Sequence, residues 1–156
     1  MNRLHLSLQT DFLLQEHEVK APKVLVRIGY NGRWSRAIRA VVDTGSPLTI
    51  ISPDVAHKLG WVEPPEEQPV AIQGIGSGQE SSGWMTAMDI AFLQSPAQEP
   101  TLGLLLRTTA VCVSTLVGQG AVLVGQHESL ERLRFTQRNQ PPYWDFELAL
   151  PEEEEP

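Results

Sequence analysis

The sequence has one cysteine, Cys112, so no internal disulfide can form. Cys112 lies in the apolar run Ala110–Val113 and reads as a small core residue, which fits a reducing, cytoplasmic setting. No apolar run approaches the length of a membrane span. The start, Met1 to Leu8, lacks the apolar segment and cleavage site of a secretory signal, so neither a membrane nor export is expected. Positive charge is scarce as well: 12 Lys and Arg stand against 19 Asp and Glu, with no basic stripe. That balance argues against nucleic acid as a partner. The four histidines are scattered, and His127-Glu128 is not followed by a second histidine at metal spacing, so no metal site is expected. Ser77 lacks the glycine frame of a serine hydrolase, since the flanks two residues away are Ile75 and Gln79. Gln79 also occupies the place of the third glycine of a dinucleotide loop, and no phosphate-loop lysine accompanies these glycines. No organic cofactor is expected. The four tryptophans (Trp34, Trp61, Trp84, Trp144) are expected to pack rather than to form a ligand cage.

What remains is a 156-residue chain that is 41% hydrophobic and 20% charged, of a size and composition to make one globular domain. Residues 1–150 read as that domain. The tail Pro151–Pro156 holds four consecutive glutamates and reads as a solvated, disordered end. It carries much of the net charge of −7, which falls to −3 without those four residues.

Most of the chain has the pattern of short strands. Leu4, Leu6 and Leu8 alternate with polar residues, as do Trp144, Phe146, Leu148 and Leu150 near the other end. Val24–Ile28 and Ala37–Val42 flank Asn31-Gly32, a dipeptide that favours a tight hairpin because both residues tolerate positive φ. Further strands are expected at Val70–Ile72, Trp84–Leu93 and within Leu102–Val117. A short helix is expected after Ser52, with Pro53 and Asp54 in its first turn and Gly60 at its stop. A second is expected from His127 to Arg134, with Leu130 and Leu133 facing inward.

The hairpin's second strand runs into Asp43-Thr44-Gly45, within the stretch Ala40-Val41-Val42-Asp43-Thr44-Gly45-Ser46-Pro47-Leu48-Thr49-Ile50-Ile51. Of the five aspartates only Asp43 is followed by Thr-Gly. Gly45 lets a backbone amide approach the carboxylate, the Thr44 hydroxyl can lock the turn, and the apolar flanks suggest a poorly solvated, rigid site. The same residues also suit an ordinary turn whose carboxylate caps a nearby amide. One carboxylate does little alone. Two brought together share a proton, so that one serves as base and the other as acid. The chain has a single Asp-Thr-Gly, so a pair would require a second copy across a twofold axis.

Three features in order resemble the retropepsin-like aspartic proteases, the single-lobe, homodimeric class. They are Val41-Val42-Asp43-Thr44-Gly45-Ser46, then Gly74-Ile75-Gly76-Ser77-Gly78, then Ala121-Val122-Leu123-Val124-Gly125 followed by Leu130-Glu131-Arg132-Leu133. The resemblance spans residues 20 to 138. It implies a mostly β, closed-barrel acid-protease lobe with one or two short helices. It further implies that Asp43 is the catalytic carboxylate, that Thr44 grips its counterpart across the dimer axis, and that Gly45 supports the carboxylate. Gly74, Ile75 and Gly76 would be the flap tip that closes over an extended peptide substrate. The two terminal alternations would pair across the dimer. Two departures stand out. Many retroviral relatives pair an acidic residue, four after the aspartate, with an arginine after the support-strand glycine; here Pro47 and Gln126 stand there. Two functions remain open: a homodimeric aspartic endopeptidase, or a catalytically inactive retropepsin-like module for dimerisation or peptide binding.

Overall fold

The computed structural model describes residues 3–7, 10–14, 16–20, 23–61, 70–73, 80–113, 121–139 and 142–148. The expected flap tip at 74–76 and the acidic tail lie outside them. In chain order the elements are β1 (Arg3–Ser7), β2 (Thr10–Leu14), β3 (His17–Lys20), β4 (Lys23–Tyr30), β5 (Arg33–Trp34), β6 (Ile38–Val42), β7 (Thr49–Ile51) and α1 (Pro53–Lys58). They continue with β8 (Val70–Gln73), β9 (Glu80–Phe92), β10 (Leu104–Val113), β11 (Val122–Val124), β12 (Leu133–Asn139) and β13 (Pro142–Leu148). The fold is mostly β, as the strand periodicities predict.

Six strands close a barrel in the order β4-β6-β11-β7-β10-β9, with β9 returning to pair with β4. The Asn31-Gly32 turn forms as expected, both residues taking positive φ (51° and 80°), and it joins β4 to β5. After a short break at Ser35–Ala37 the chain rejoins β4 as β6, with Val24 opposite Ala40 and Val26 opposite Ile38. Within β4 the side chains of Val24, Val26 and Ile28 are buried while those between them are half-exposed, the alternation of a strand with one face in a core. β10 changes character along its length. It alternates at first, then is buried throughout from Ala110 to Val113, where β7 and β9 flank it. Cys112 is part of that fully buried stretch.

The topology at β6, β11 and β7 positions the candidate site. β6 and β7 are consecutive among the barrel strands, yet β11 lies between them, parallel to β6 and antiparallel to β7. The short segment joining β6 to β7 therefore crosses the end of β11, and that segment contains Asp43-Thr44-Gly45.

A second sheet, β1-β13-β12, packs on the barrel through Leu4, Leu133 and Phe146, with the Phe146 ring 5.5 Å from that of Phe92. β1 pairs antiparallel with β13 inside one chain, Leu4 opposite Phe146. The terminal strands thus find each other within the chain, where the resemblance implied pairing across a dimer, and β1 and β12 form the edges of this sheet.

Two expectations change. The first helix is present, and Gly60 follows it with φ of 81°. However, the Ser52 hydroxyl turns to the Asp54 carboxylate instead of capping an amide. The second helix, expected from His127 to Arg134, is reduced to a 3-10 turn at Leu130–Arg132. Glu128 has φ of 56°, outside helical space, and Leu133 already pairs with Leu148 as the first residue of β12. Leu130 and Leu133 do face inward as expected, both buried. Trp61 and Trp84 pack edge to face in the core at 5.9 Å, and Trp34 lies over Gly29, where a β-carbon would come within 2.9 Å of its ring. The side chain of Trp144 lies outside the described residues.

Candidate active site

Asp43 is the first residue beyond β6. Its backbone N–H donates to the Val124 carbonyl at 3.0 Å, continuing the parallel β6–β11 pairing by one rung. The carboxylate then turns back on its own loop: Oδ1 accepts the Gly45 N–H at 3.0 Å. A β-carbon on Gly45 would sit 3.3 Å from that same oxygen. Gly45 thus supplies an amide close to the carboxylate with no side chain between. Among the described residues, Oδ2 accepts no hydrogen bond. One oxygen is held and the other is open, an arrangement that suits both a turn cap and a group able to take a proton from water.

The loop is fastened from below by the end of β11. Gln126 N–H donates to Ser46 O and His127 N–H to Pro47 O, each at 2.9 Å, and the Gln126 side-chain Nε2 donates to Thr44 O at 2.9 Å. Gly125 fits between these rungs because it has no side chain. A β-carbon there would fall 2.1 Å from the Leu48 carbonyl oxygen. Deeper still, two fully buried hydroxyls complete the support. Thr49 Oγ1 accepts the Gly125 N–H at 3.2 Å and lies 3.1 Å from Ser129 Oγ, which in turn donates to the Gly125 carbonyl. Every polar atom buried in this knot thus has a partner, as burial demands. The Ser46 hydroxyl closes the upper side by donating to Leu48 O at 2.8 Å.

Two sequence expectations are revised here. The Thr44 hydroxyl was expected to lock the turn; among the described residues that is done instead by the Thr44 carbonyl and the Ser46 hydroxyl. The apolar flanks suggested water exclusion, yet Asp43 is half-buried and Thr44 and Gly45 are exposed. The flanking strands point Val42 and Thr49 into the core, while the loop between them emerges beyond the strand ends. A single chain therefore leaves the carboxylate open to solvent on one side.

The remaining expected residues, Gly74, Ile75 and Gly76, lie outside the described residues. Their setting is described: β8 and β9 pair antiparallel from Val70 opposite Gly83 to Gln73 opposite Glu80, so 74–79 connects the two strands of a hairpin. Sequence reading missed the three side chains that fasten the loop. Thr49 and Ser129 gave only the weak signal of hydroxyls in or beside apolar runs, and Gln126 stands out in the sequence as a departure from the family pattern, not as a donor to the loop. Among the described residues, no three His, Cys, Asp or Glu side chains gather to hold a metal ion, and no helix is long and apolar enough to cross a membrane.

Residues 24–93 match a family model described as aspartyl protease. The match begins in β4, contains Asp43-Thr44-Gly45 and ends just past β9. It supports the aspartic-protease resemblance and a protease-like, hydrolytic function acting on peptides. No curated protein matches the chain.

Proposed function

We propose that the chain, whose residues 24–93 match an aspartyl protease model, is an aspartic endopeptidase that works as a homodimer in the cytoplasm. Residues 1–150 act as one domain. Asp43 from each copy meets at a twofold axis, and the two carboxylates share one proton because both cannot ionise at close range. The ionised member takes a proton from a trapped water, which attacks the peptide carbonyl, and the protonated member gives its proton to the departing nitrogen. Thr44 grips the partner's loop, Gly45 holds the carboxylate, and the hairpin carrying Gly74, Ile75 and Gly76 closes over an extended peptide.

One observation carries this reading. The Asp43 carboxylate is fixed by Gly45 through one oxygen and left open at the other, on a loop supported rung by rung from β11. Its half-exposure in one chain is what a shared site requires, since the second copy supplies the missing wall. The inactive binding module is the second reading. It draws support from Pro47 and Gln126, which replace the charge pair that many retroviral relatives carry.

The experiment is cleavage of an unstructured protein between pH 4 and 6 by wild type and by Asp43→Asn, at several protein concentrations. Cutting by wild type alone, with specific activity that falls on dilution, is the expected result. Two inert proteins with an intact dimer would favour the binding module, and an undiminished active monomer would end the shared-site mechanism.

A further inference from the structure

We infer that Gln126 is a positioning residue for the Asp43 carboxylate, acting through the peptide bond between Thr44 and Gly45. The inference rests on the proposed role of Asp43. The geometry is a chain of two hydrogen bonds with one peptide group in the middle. Gln126 Nε2 donates to the Thr44 carbonyl at 2.9 Å, and the N–H of the same peptide group, that of Gly45, donates to Asp43 Oδ1 at 3.0 Å. A peptide group is planar, with its C=O and N–H pointing in opposite directions. Holding the oxygen end therefore aims the hydrogen end. Without the Gln126 bond this peptide sits in an exposed loop next to a glycine, which permits it to rotate. With the bond, each link polarises the next, and the N–H meeting the carboxylate is strengthened as well as aimed.

Nothing local explains this contact. Gln126 lies 82 residues from Thr44, and its backbone is already placed by its own bond to Ser46 O at 2.9 Å. The side chain is thus an additional restraint, directed at the one carbonyl whose peptide serves the carboxylate. It is also uncharged. An amide donates at any pH in the working range of a carboxylate pair, whereas a carboxyl in the same place would donate only when protonated.

That difference supplies the test. The full-length protein is assayed for kcat and KM from pH 3 to 7 on a peptide substrate, as wild type, Gln126→Met and Gln126→Glu. Methionine keeps the length and removes the donor, so kcat falls by about 3- to 10-fold at every pH with KM little changed, the range expected for one lost hydrogen bond. Gln126→Glu should match wild type near pH 3 and fall to the methionine level above about pH 5, as its carboxyl ionises around the usual 4.3. The titratable groups around position 126 are Asp43 and His127, the latter with Glu128 and Glu131 at 3.6 and 3.7 Å; they are the same in wild type and Gln126→Met, so that pair isolates the lost donor, and only Gln126→Glu adds a charge beside them. If Gln126→Glu follows Gln126→Met at every pH, or both follow wild type, the inference is overturned. The exchange rate of the Gly45 amide, read by NMR, provides the measurement independent of turnover. It should rise several-fold in Gln126→Met, and an unchanged rate refutes the positioning role. Failure of the Asp43 reading is separate, being a wild type that cuts no better than Asp43→Asn.

Discussion

Gly125→Ala should disconnect the Asp43 loop from its support without touching the loop's own sequence. A β-carbon at 125 would lie 2.1 Å from the Leu48 oxygen, 2.4 Å from the Leu48 carbonyl carbon and 2.9 Å from the Ser46 oxygen. All three are backbone atoms, so no side chain can swing aside. A comfortable carbon–oxygen contact needs about 3.3 Å, so β11 and the 46–48 segment must part by about 1 Å. The rungs from Gln126 N–H to Ser46 O and from His127 N–H to Pro47 O, now 2.9 Å, lie across that gap. Stretched by about 1 Å they cease to be hydrogen bonds, at roughly 1 kcal/mol each, and overpacking adds about 1–3 kcal/mol. The total is about 3–5 kcal/mol, a large share of the roughly 5–15 kcal/mol that stabilises a domain. Urea unfolding followed by circular dichroism should show a midpoint well below wild type, with the melting temperature lower by about 6–20 °C. Gly45→Ala is the control. Its β-carbon would meet only the Asp43 Oδ1 at 3.3 Å, on an exposed loop, so stability should change by less than about 1 kcal/mol while proteolysis falls. A Gly125→Ala protein as stable as wild type, or one no less stable than Gly45→Ala, would refute the close packing of β11 beneath the loop.

Thr49→Val removes what is, among the described residues, the only side-chain acceptor of the buried Gly125 N–H and should cost about 1–3 kcal/mol in denaturant unfolding. Ser129→Ala should cost less, because the Gly125 carbonyl keeps the Leu130 N–H at 3.1 Å; equal losses would contradict this division. At the terminal sheet the Arg3 guanidinium holds the Asp145 carboxyl below its ordinary range, by its hydrogen bonds and then its charge, against the opposing effect of burial. A depressed folded value gives stability that is fully present above about pH 4, the unfolded value, and is lost as pH falls through the folded one. The unfolding midpoint should therefore drop less between pH 5 and 2 in Asp145→Asn than in wild type, and identical slopes would remove this pair from the account.

The parts of the fold that local pattern determines were legible. Asn31-Gly32 between two alternating runs specified the hairpin, and the hairpin specified that Asp43 stands at a strand end. Pro53 and Gly60 bracketed the helix. The misreading at 127–134 is instructive, since Leu130 and Leu133 stand three apart and suit a helix face as well as the end of one element and the start of another. Two contacts decided it: the pairing of Leu133 with Leu148, 15 residues on, and the bond from the Ser129 hydroxyl back to the Gly125 carbonyl, which belongs to the strand end rather than to a helix. The periodicity of apolar residues reports neither. The exposure of the loop in a single chain was hidden for a related reason. Apolar flanks report that strands are buried, but not that the loop between them projects past the strand ends.

The joint presence of Pro47 and Gln126 also acquires a physical meaning from the pairing of β6 with β11. Read singly, each is the loss of a charge. In the folded chain Pro47 contributes only a carbonyl, which takes the His127 N–H, and it has no N–H of its own that would need a partner. Gln126 contributes a neutral donor to Thr44 O. Every bond that fastens the loop to β11, to Thr49 and to Leu48 is consequently made by backbone groups, an amide or hydroxyls. None of them titrates. An ion pair in this place would weaken as its acid became protonated, in the same range where a carboxylate pair must hold one proton. With the support neutral, none of the bonds that fasten the loop beneath the Asp43 carboxylate depends on the charge state of a side chain.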